Sequence, residues 1–190
     1  CLLTPQGKFL SDFFIIAFED GYLIEINKKF ADNFISKLNI YKLRSKVDIE
    51  IKDDYSSLVI FHDQKLKNEI EKKIININYS TIFLDPRNEL LGHKIFLKSN
   101  IKDDFIKKNN LILMNMKFYK QLLIKYLIPD STEDLIVNQS LLLENNFDNI
   151  NAIDWEKGCY VGQEITARMK YRALLKISLR SIKIDSGNIQ

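Results

Sequence analysis

"FFIIAFEDGYLIEI", residues 13 to 26, decides the fold. Apolar, aromatic and β-branched residues crowd both sides of Glu19-Asp20-Gly21. Such runs fit a pleated surface, and an Asp-Gly pair between them is a turn signal, so the stretch predicts two antiparallel strands. Next comes "KKFADNFISKLNIYKL" (28–43), where Phe30, Phe34, Leu38 and Tyr41 recur at spacings of four, four and three. That period puts them on one face of an amphipathic helix.

The pattern repeats downstream. "VDIEIKDD" (47–54) alternates and "YSSLVIFHD" (55–63) is rich in strand formers, which together predict a second hairpin around Asp53-Asp54. "STIFLDPRNELLGHKIFLK" (80–98) predicts two more strands around a turn set by Pro86, Asn88 and Gly92. From Asp103 to Ile128 the spacing is helical, split by Asn109 and Asn110 and ended by Pro129. Residues 130–154 read as irregular, and "LLKISLRSIKI" (174–184) as a terminal strand. Strands joined through hairpins, with interspersed helices, indicate an α+β fold built on antiparallel sheets rather than a doubly wound one.

Composition narrows the function classes. The chain has 190 residues, 46% of them hydrophobic and 28% charged, with a formal net charge of +3. Its lysines are scattered, not gathered into the basic patch that nucleic acid would want, so no direct nucleic-acid binding is expected. No apolar run reaches the ~18 residues needed to span a bilayer, so no membrane role is expected. Cys1 and Cys159 stand near opposite ends of the sequence and make no disulfide framework, which favours a reducing compartment. His62 and His93 are the only histidines, and neither has partners at zinc-ligand spacing, so no metal site is expected. The chain opens "CLLTPQGKF" without an initiator Met and reads as an internal fragment of a longer protein.

Most of the chemistry gathers in "EKGCYVGQEITARMKYR" (156–172). Gly158 and Gly162 flank Cys159, and a helix starting near Val161 would set the thiol just before a helix N-terminus, where the dipole favours thiolate. Glu164 and Arg168 are four apart and can pair on one helical face. The plainer reading is a buried cysteine in a tight turn, followed by a surface helix. Arginine use tilts the balance: Arg44, Arg87, Arg168, Arg172 and Arg180 alone interrupt the lysines, and arginine supplies planar, bidentate donors. Asp85 and Arg87 in "DPR" read as a structural pair across a turn. Glu144, in "LLLENN", is either an exposed loop residue or a carboxylate kept for a polar ligand.

"KGCYVGQEITAR" (157–168) resembles the signature of YgfZ-type folate-binding proteins, relatives of the glycine-cleavage aminomethyltransferase. "LLTPQGKFLSDFFI" (2–15), "FLDPRNELLGHKIFL" (83–97) and "LLLENNFDNINAIDWEKGCYVGQE" (141–164) resemble further family segments in the same order, so the likeness covers nearly the whole chain. It implies an aminomethyltransferase-like fold around a tetrahydrofolate pocket. Residues 1–50 would be part of a first α+β subdomain, 51–173 a second, and 174–190 the start of a truncated C-terminal β-barrel. It also implies a folate-dependent role in assembling or repairing iron–sulfur clusters in client proteins, tRNA-modifying enzymes among them. The compartment would be the cytoplasm, or the mitochondrial matrix in a eukaryote. Cys159 becomes the functional thiol, as a transient iron ligand, a sulfur-transfer partner or a structural residue. Glu144 falls where a carboxylate holds the pteridine and Tyr119 where an aromatic meets folate; Lys157, Tyr160, Gln163, Glu164 and Arg168 surround the cysteine. The alternative is tetrahydrofolate-dependent aminomethyl transfer. Those enzymes carry two adjacent aspartates where this chain has Ser11-Asp12, and a serine cannot serve as acid or base near neutral pH.

Overall fold

The computed structural model describes residues 1–61, 81–172 and 175–183. His62 and Asp63 at the end of one predicted strand, Ser80 at the start of another, and Leu174 and Ile184 at the ends of a third lie outside the described residues. Contacts divide the chain into two compact units, residues 13–119 and residues 1–12 with 120–190. Every strand pairing among the described residues is antiparallel, in an α+β arrangement.

In the unit of residues 13–119, β1 (Phe13–Phe18) and β2 (Gly21–Ile26) form the predicted first hairpin, in register from Phe13↔Ile26 to Phe18↔Gly21. The two-residue connection is Glu19-Asp20, with Glu19 in the left-handed region at φ 48, while Gly21 already belongs to the ladder. Helix α1 (Lys28–Tyr41) follows, and Asn27 caps it by accepting from the Lys29 N–H at 2.9 Å. Its predicted face is used in part. Phe30 and Phe34 are buried, and Phe34 meets Phe13 of the hairpin at 4.6 Å between ring centroids.

A three-stranded sheet orders β3 (Tyr55–Ile60), β4 (His93–Lys98) and β5 (Thr81–Leu84) with β4 in the middle. The strands β5 and β4 flank the predicted Pro86–Gly92 turn. Alternation then gives β4 two working faces. Ile95 and Leu97 join Ile60 and Phe105 in the core, where Phe105 belongs to helix α2 (Lys102–Lys108). Lys94 and Phe96 point the other way, toward Phe14 and Phe83.

The second hairpin around Asp53-Asp54 does not form. Residues 47–52 carry no strand, Val47 and Ile51 are exposed, and β3 pairs instead with β4, Tyr55↔Lys98 through Ile60↔His93. Burial explains the choice. Covering Ile95, Phe96 and Leu97 on two faces is worth roughly 1.5–3 kcal/mol each, which an exposed local hairpin cannot match. The helical stretch 103–128 does split, into α2 and α3 (Met116–Lys125), with Asn110 in the left-handed region at φ 50. The second helix ends at Lys125, earlier than expected, because Leu127 takes φ 55 ahead of Pro129.

The other unit opens with a short antiparallel pair, β6 (Leu2–Leu3) and β7 (Phe9–Ser11). Phe9 is fully buried and packs on Phe147, and Leu135, Leu142, Leu143 and Ile150 of the irregular region are buried in the same unit. That region holds turns, a single 3-10 turn, Leu143–Asn145, and one isolated antiparallel bridge, Leu141 to Lys8. Helix α4 (Gln163–Tyr171) closes the unit through Thr166 and Met169. The terminal strand predicted for 174–184 is absent from 175–183. A strand exists only through its ladder, and the backbone bond from the Leu179 N–H to the Glu144 carbonyl, 3.0 Å, does not make one.

Candidate functional site

The signature begins in a turn fixed by Asp154. Its Oδ1 accepts from the backbone N–H groups of Glu156 at 2.9 Å and Lys157 at 3.2 Å, so an aspartate three residues ahead of the signature sets its direction. Tyr160 and Gln163 then close on one another. The Gln163 side chain accepts from the Tyr160 N–H at 3.3 Å, and the Gln163 N–H donates to the Tyr160 carbonyl at 3.2 Å. Helix α4 starts at this point, and Thr166 donates its hydroxyl to the Gly162 carbonyl at 3.1 Å. Burial pushes the Tyr160 phenol above its usual pKa, against the Thr166 hydroxyl, which pulls it down.

Gly162 locks the turn against the start of the chain. It sits at φ 84, and a Cβ there would lie 2.7 Å from the Thr4 carbonyl oxygen and 2.9 Å from the Gly7 Cα. Gly7, at φ 71, is equally constrained: its Cβ would stand 3.1 Å from both the Gly162 oxygen and the Ile165 Cβ. Two backbones meet with no room for side chains. The Thr4–Gly7 turn brings Gly7 to that contact, through the Gly7 N–H to Thr4 carbonyl bond of 2.9 Å and the Thr4 hydroxyl accepting from the Lys8 N–H at 3.1 Å.

On this frame Cys159 is a free, exposed thiol. The bland expectation of a buried cysteine is therefore set aside. Lys157 lies over the Tyr160 ring at 4.8 Å, and Glu164 pairs with Arg168 on the exposed side of α4 as the spacing predicts. Beside the turn a cavity of about 40 Å³ is lined by Leu3, Leu142, Ile153, Asp154, Lys157 and Tyr160, room for about one water. Glu144 sits half-buried in the Leu143–Asn145 turn, in the same unit, and its carboxylate has no partner among the described residues. Ser11, at the end of β7, is 2% exposed, and its hydroxyl lacks a hydrogen-bond partner among them.

Tyr119 belongs to the other unit, where it joins a cluster that the sequence showed only as a turn pair. Asp85 is fully buried and receives three bonds from Arg87: its backbone N–H and Nε at 3.0 Å each, and Nη2 at 2.7 Å. The same Nη2 donates to the Tyr119 hydroxyl at 2.7 Å. Burial by itself would lower the Arg87 pKa, but the bond to Asp85 and the charges of Tyr119 and Asp85 outweigh it and hold the guanidinium above its ordinary value. Tyr119 is pushed up by burial and pulled back by Arg87.

Phe14 ties a second pair to this one. Arg87 lies over its ring at 5.0 Å and Lys94 at 4.2 Å, and Lys94 pairs with Glu25 at 2.5 Å. Burial lowers the Lys94 pKa, with Glu25 opposing. The sequence carries a signal for these residues: Glu25 stands between Ile24 and Ile26, and Lys94 opens the run Ile95-Phe96-Leu97, positions where a buried charge needs a partner. Among the described residues, no helix is long and apolar enough to cross a membrane.

No family model matches the chain. It is similar to proteins named iron-sulfur cluster assembly factor IBA57 homolog, mitochondrial, in Dictyostelium discoideum (25% identical, covering 83% of this chain and 40% of the relative). The corresponding protein of Pyricularia oryzae is 29% identical over 92% of this chain and 44% of its own length. The mouse iron-sulfur cluster assembly factor IBA57, mitochondrial, is 23% identical over 96% and 52% respectively. The chain thus spans about half the length of the curated relatives it matches.

Proposed function

We propose that this chain serves the assembly or repair of iron–sulfur clusters in client enzymes, tRNA-modifying ones included, as a folate-binding accessory factor without turnover of its own. The observation that carries the reading is the free thiol of Cys159, exposed on a turn that the Gly7–Gly162 contact makes rigid. An exposed thiol can ligate iron or pass sulfur once it is deprotonated, and a fixed backbone spares the cost of ordering it for a client. The printed names of the relatives support the same class of work. In a eukaryote we place it in the mitochondrial matrix, in line with those names.

Tetrahydrofolate is the cofactor we assign, within an aminomethyltransferase-like fold. Glu144 fits it: a half-buried carboxylate without a protein partner among the described residues can accept from the amino and N–H groups of a pteridine ring. Bound folate would supply a reduced carrier of one-carbon units. In this reading Tyr160 and Gln163 hold the signature turn, and Lys157, Glu164 and Arg168 offer charge around it. The alternative, aminomethyl transfer, is disfavoured by Ser11, which is buried and carries no carboxylate.

Calorimetric titration of the intact protein with tetrahydrofolate tests the cofactor. Binding that disappears in Glu144→Ala supports it, and no binding by the unaltered protein removes folate from the account. The thiol is tested separately. Cys159→Ser should fail to restore iron–sulfur enzyme activity in cells lacking the protein, and full restoration would remove Cys159 from the function.

A further inference from the structure

We propose that the run Ile112–Met116 seats the protein on an anionic membrane surface, its apolar side chains entering the acyl boundary while Lys107, Lys108 and Lys117 meet the headgroups. The proposal stands apart from the folate reading and uses the unit of residues 13–119 alone.

Ile112, Leu113, Met114 and Met116 are 86%, 75%, 58% and 65% exposed. Single exposed apolar residues are ordinary, but neighbours in a run make a patch. The backbone holds this run at both ends. Before it, Leu111 packs on the core of Ile60, Ile95, Leu97 and Phe105, and its N–H donates to the Ile106 carbonyl at 3.0 Å. After it, the Asn115 side chain accepts from the Lys117 N–H at 2.9 Å, and the Phe118 ring meets Phe61 edge-on at 5.5 Å. Binding therefore need not order the run.

Shape and charge together choose the occupant. Residues 111–115 have no regular secondary structure, so Ile112, Leu113 and Met114 share no helical or strand face. A protein groove receives one such face, whereas a fluid acyl layer needs none. Between Asp104 and Asp130 the sequence holds five lysines and no carboxylate side chain. Lys107 and Lys108, in the last turn of α2, and Lys117, in α3, are exposed on either side of the run. Asp103 and Asp104 lie in the first turn of α2. Lysine stems lie along apolar surface while their ammonium groups reach outward, which suits a boundary between acyl chains and anionic headgroups. A segment resting there reaches only ~5–10 Å into the bilayer, so it needs no helix long enough to cross.

The intact protein is sedimented with vesicles of phosphatidylcholine alone and with vesicles containing about one-third phosphatidylglycerol. Binding is expected to the anionic vesicles only, and to fall as salt rises. Lys107→Gln with Lys108→Gln should weaken it roughly twentyfold, at about fivefold for each lysine. Ile112→Asp with Leu113→Asp should weaken it about tenfold or more. Tyr22→Asp, at a position 75% exposed on the first hairpin, should leave it unchanged. Every replaced side chain is exposed, and circular dichroism checks that each variant is folded. No binding to anionic vesicles by the unaltered protein overturns the proposal, as does equal binding to neutral ones. Self-association without lipid that Ile112→Asp with Leu113→Asp abolishes, in a protein that ignores vesicles, assigns the run to a second copy instead. Loss of iron–sulfur enzyme activity in cells with that variant, again without vesicle binding, assigns it to a protein partner. Either result overturns the membrane contact and leaves the folate reading untouched.

Discussion

The signature turn and the Asp85–Arg87 cluster are ordered in opposite ways. At the turn, backbone meets backbone: Gly162 against Thr4 and Gly7, with Cys159, Lys157 and the Glu164–Arg168 pair left in solvent. In the cluster, side chains do the ordering. Two cations, Arg87 and Lys94, lie over Phe14 and are paired with Asp85 and Glu25, with Asp85 at 1% exposure and Lys94 at 6%. The difference teaches where each region can tolerate change. A turn built on absent side chains leaves its exposed residues free for chemistry, whereas a buried charge network is tightly coupled, and removing one member strands another.

Arg87→Ala should break the comparison hardest. It leaves the buried Asp85 without its cation, a loss of about 3–5 kcal/mol by denaturant titration. A cost near zero would mean that the cluster is not coupled. Gly162→Ala should follow at about 2–4 kcal/mol, combining a left-handed backbone with a Cβ too close to Thr4. Cys159 should become more mobile in that variant, which spin-label mobility at the thiol would register.

Replacing both Lys94 and Glu25, as Lys94→Met with Glu25→Gln, should fall within about 2 kcal/mol of the unaltered protein, because the desolvation cost goes with the attraction. The pH response sharpens the same point. The folded pKa of Lys94 is lowered from 10.5, so its contribution is present above 10.5 and is lost as pH falls through the folded value. Tyr119 has the opposite sign: raised from 10.0, it contributes fully below 10.0 and loses that contribution as pH climbs through the folded value. Stability followed by urea titration across alkaline pH should therefore rise and then turn over, and Tyr119→Phe should blunt the turnover. Least of all, Glu164→Ala should change stability by less than about 0.5 kcal/mol, since its ion pair with Arg168 is exposed.

Much of the architecture was legible because its causes are local. The first hairpin, the helix through Phe30 and Phe34, the strands around Pro86–Gly92 and the break at Asn109–Asn110 follow from side-chain period and turn chemistry, which a short window contains. The Glu164–Arg168 pair was legible for the same reason, being one helical turn apart. The strand predicted from "VDIEIKDD" failed because alternation states only that a segment could pair. Whether it does depends on a competitor, and β4, buried on both faces, took β3. The exposed thiol of Cys159 was likewise undecided by a Gly-Cys turn until the rest of the unit was in place.

The sequence by itself determined the α+β class, most element positions and the segment that carries the thiol, since these depend on residue type and spacing. Only the tertiary structure decided that Gly7 and Gly162 share one contact, that Arg87 reaches Tyr119, and that Glu25 answers Lys94. Each of those joins residues far apart in the chain. Such contacts form where burial removes water from charges and backbones, and residue order alone does not say which groups will be brought together when that happens.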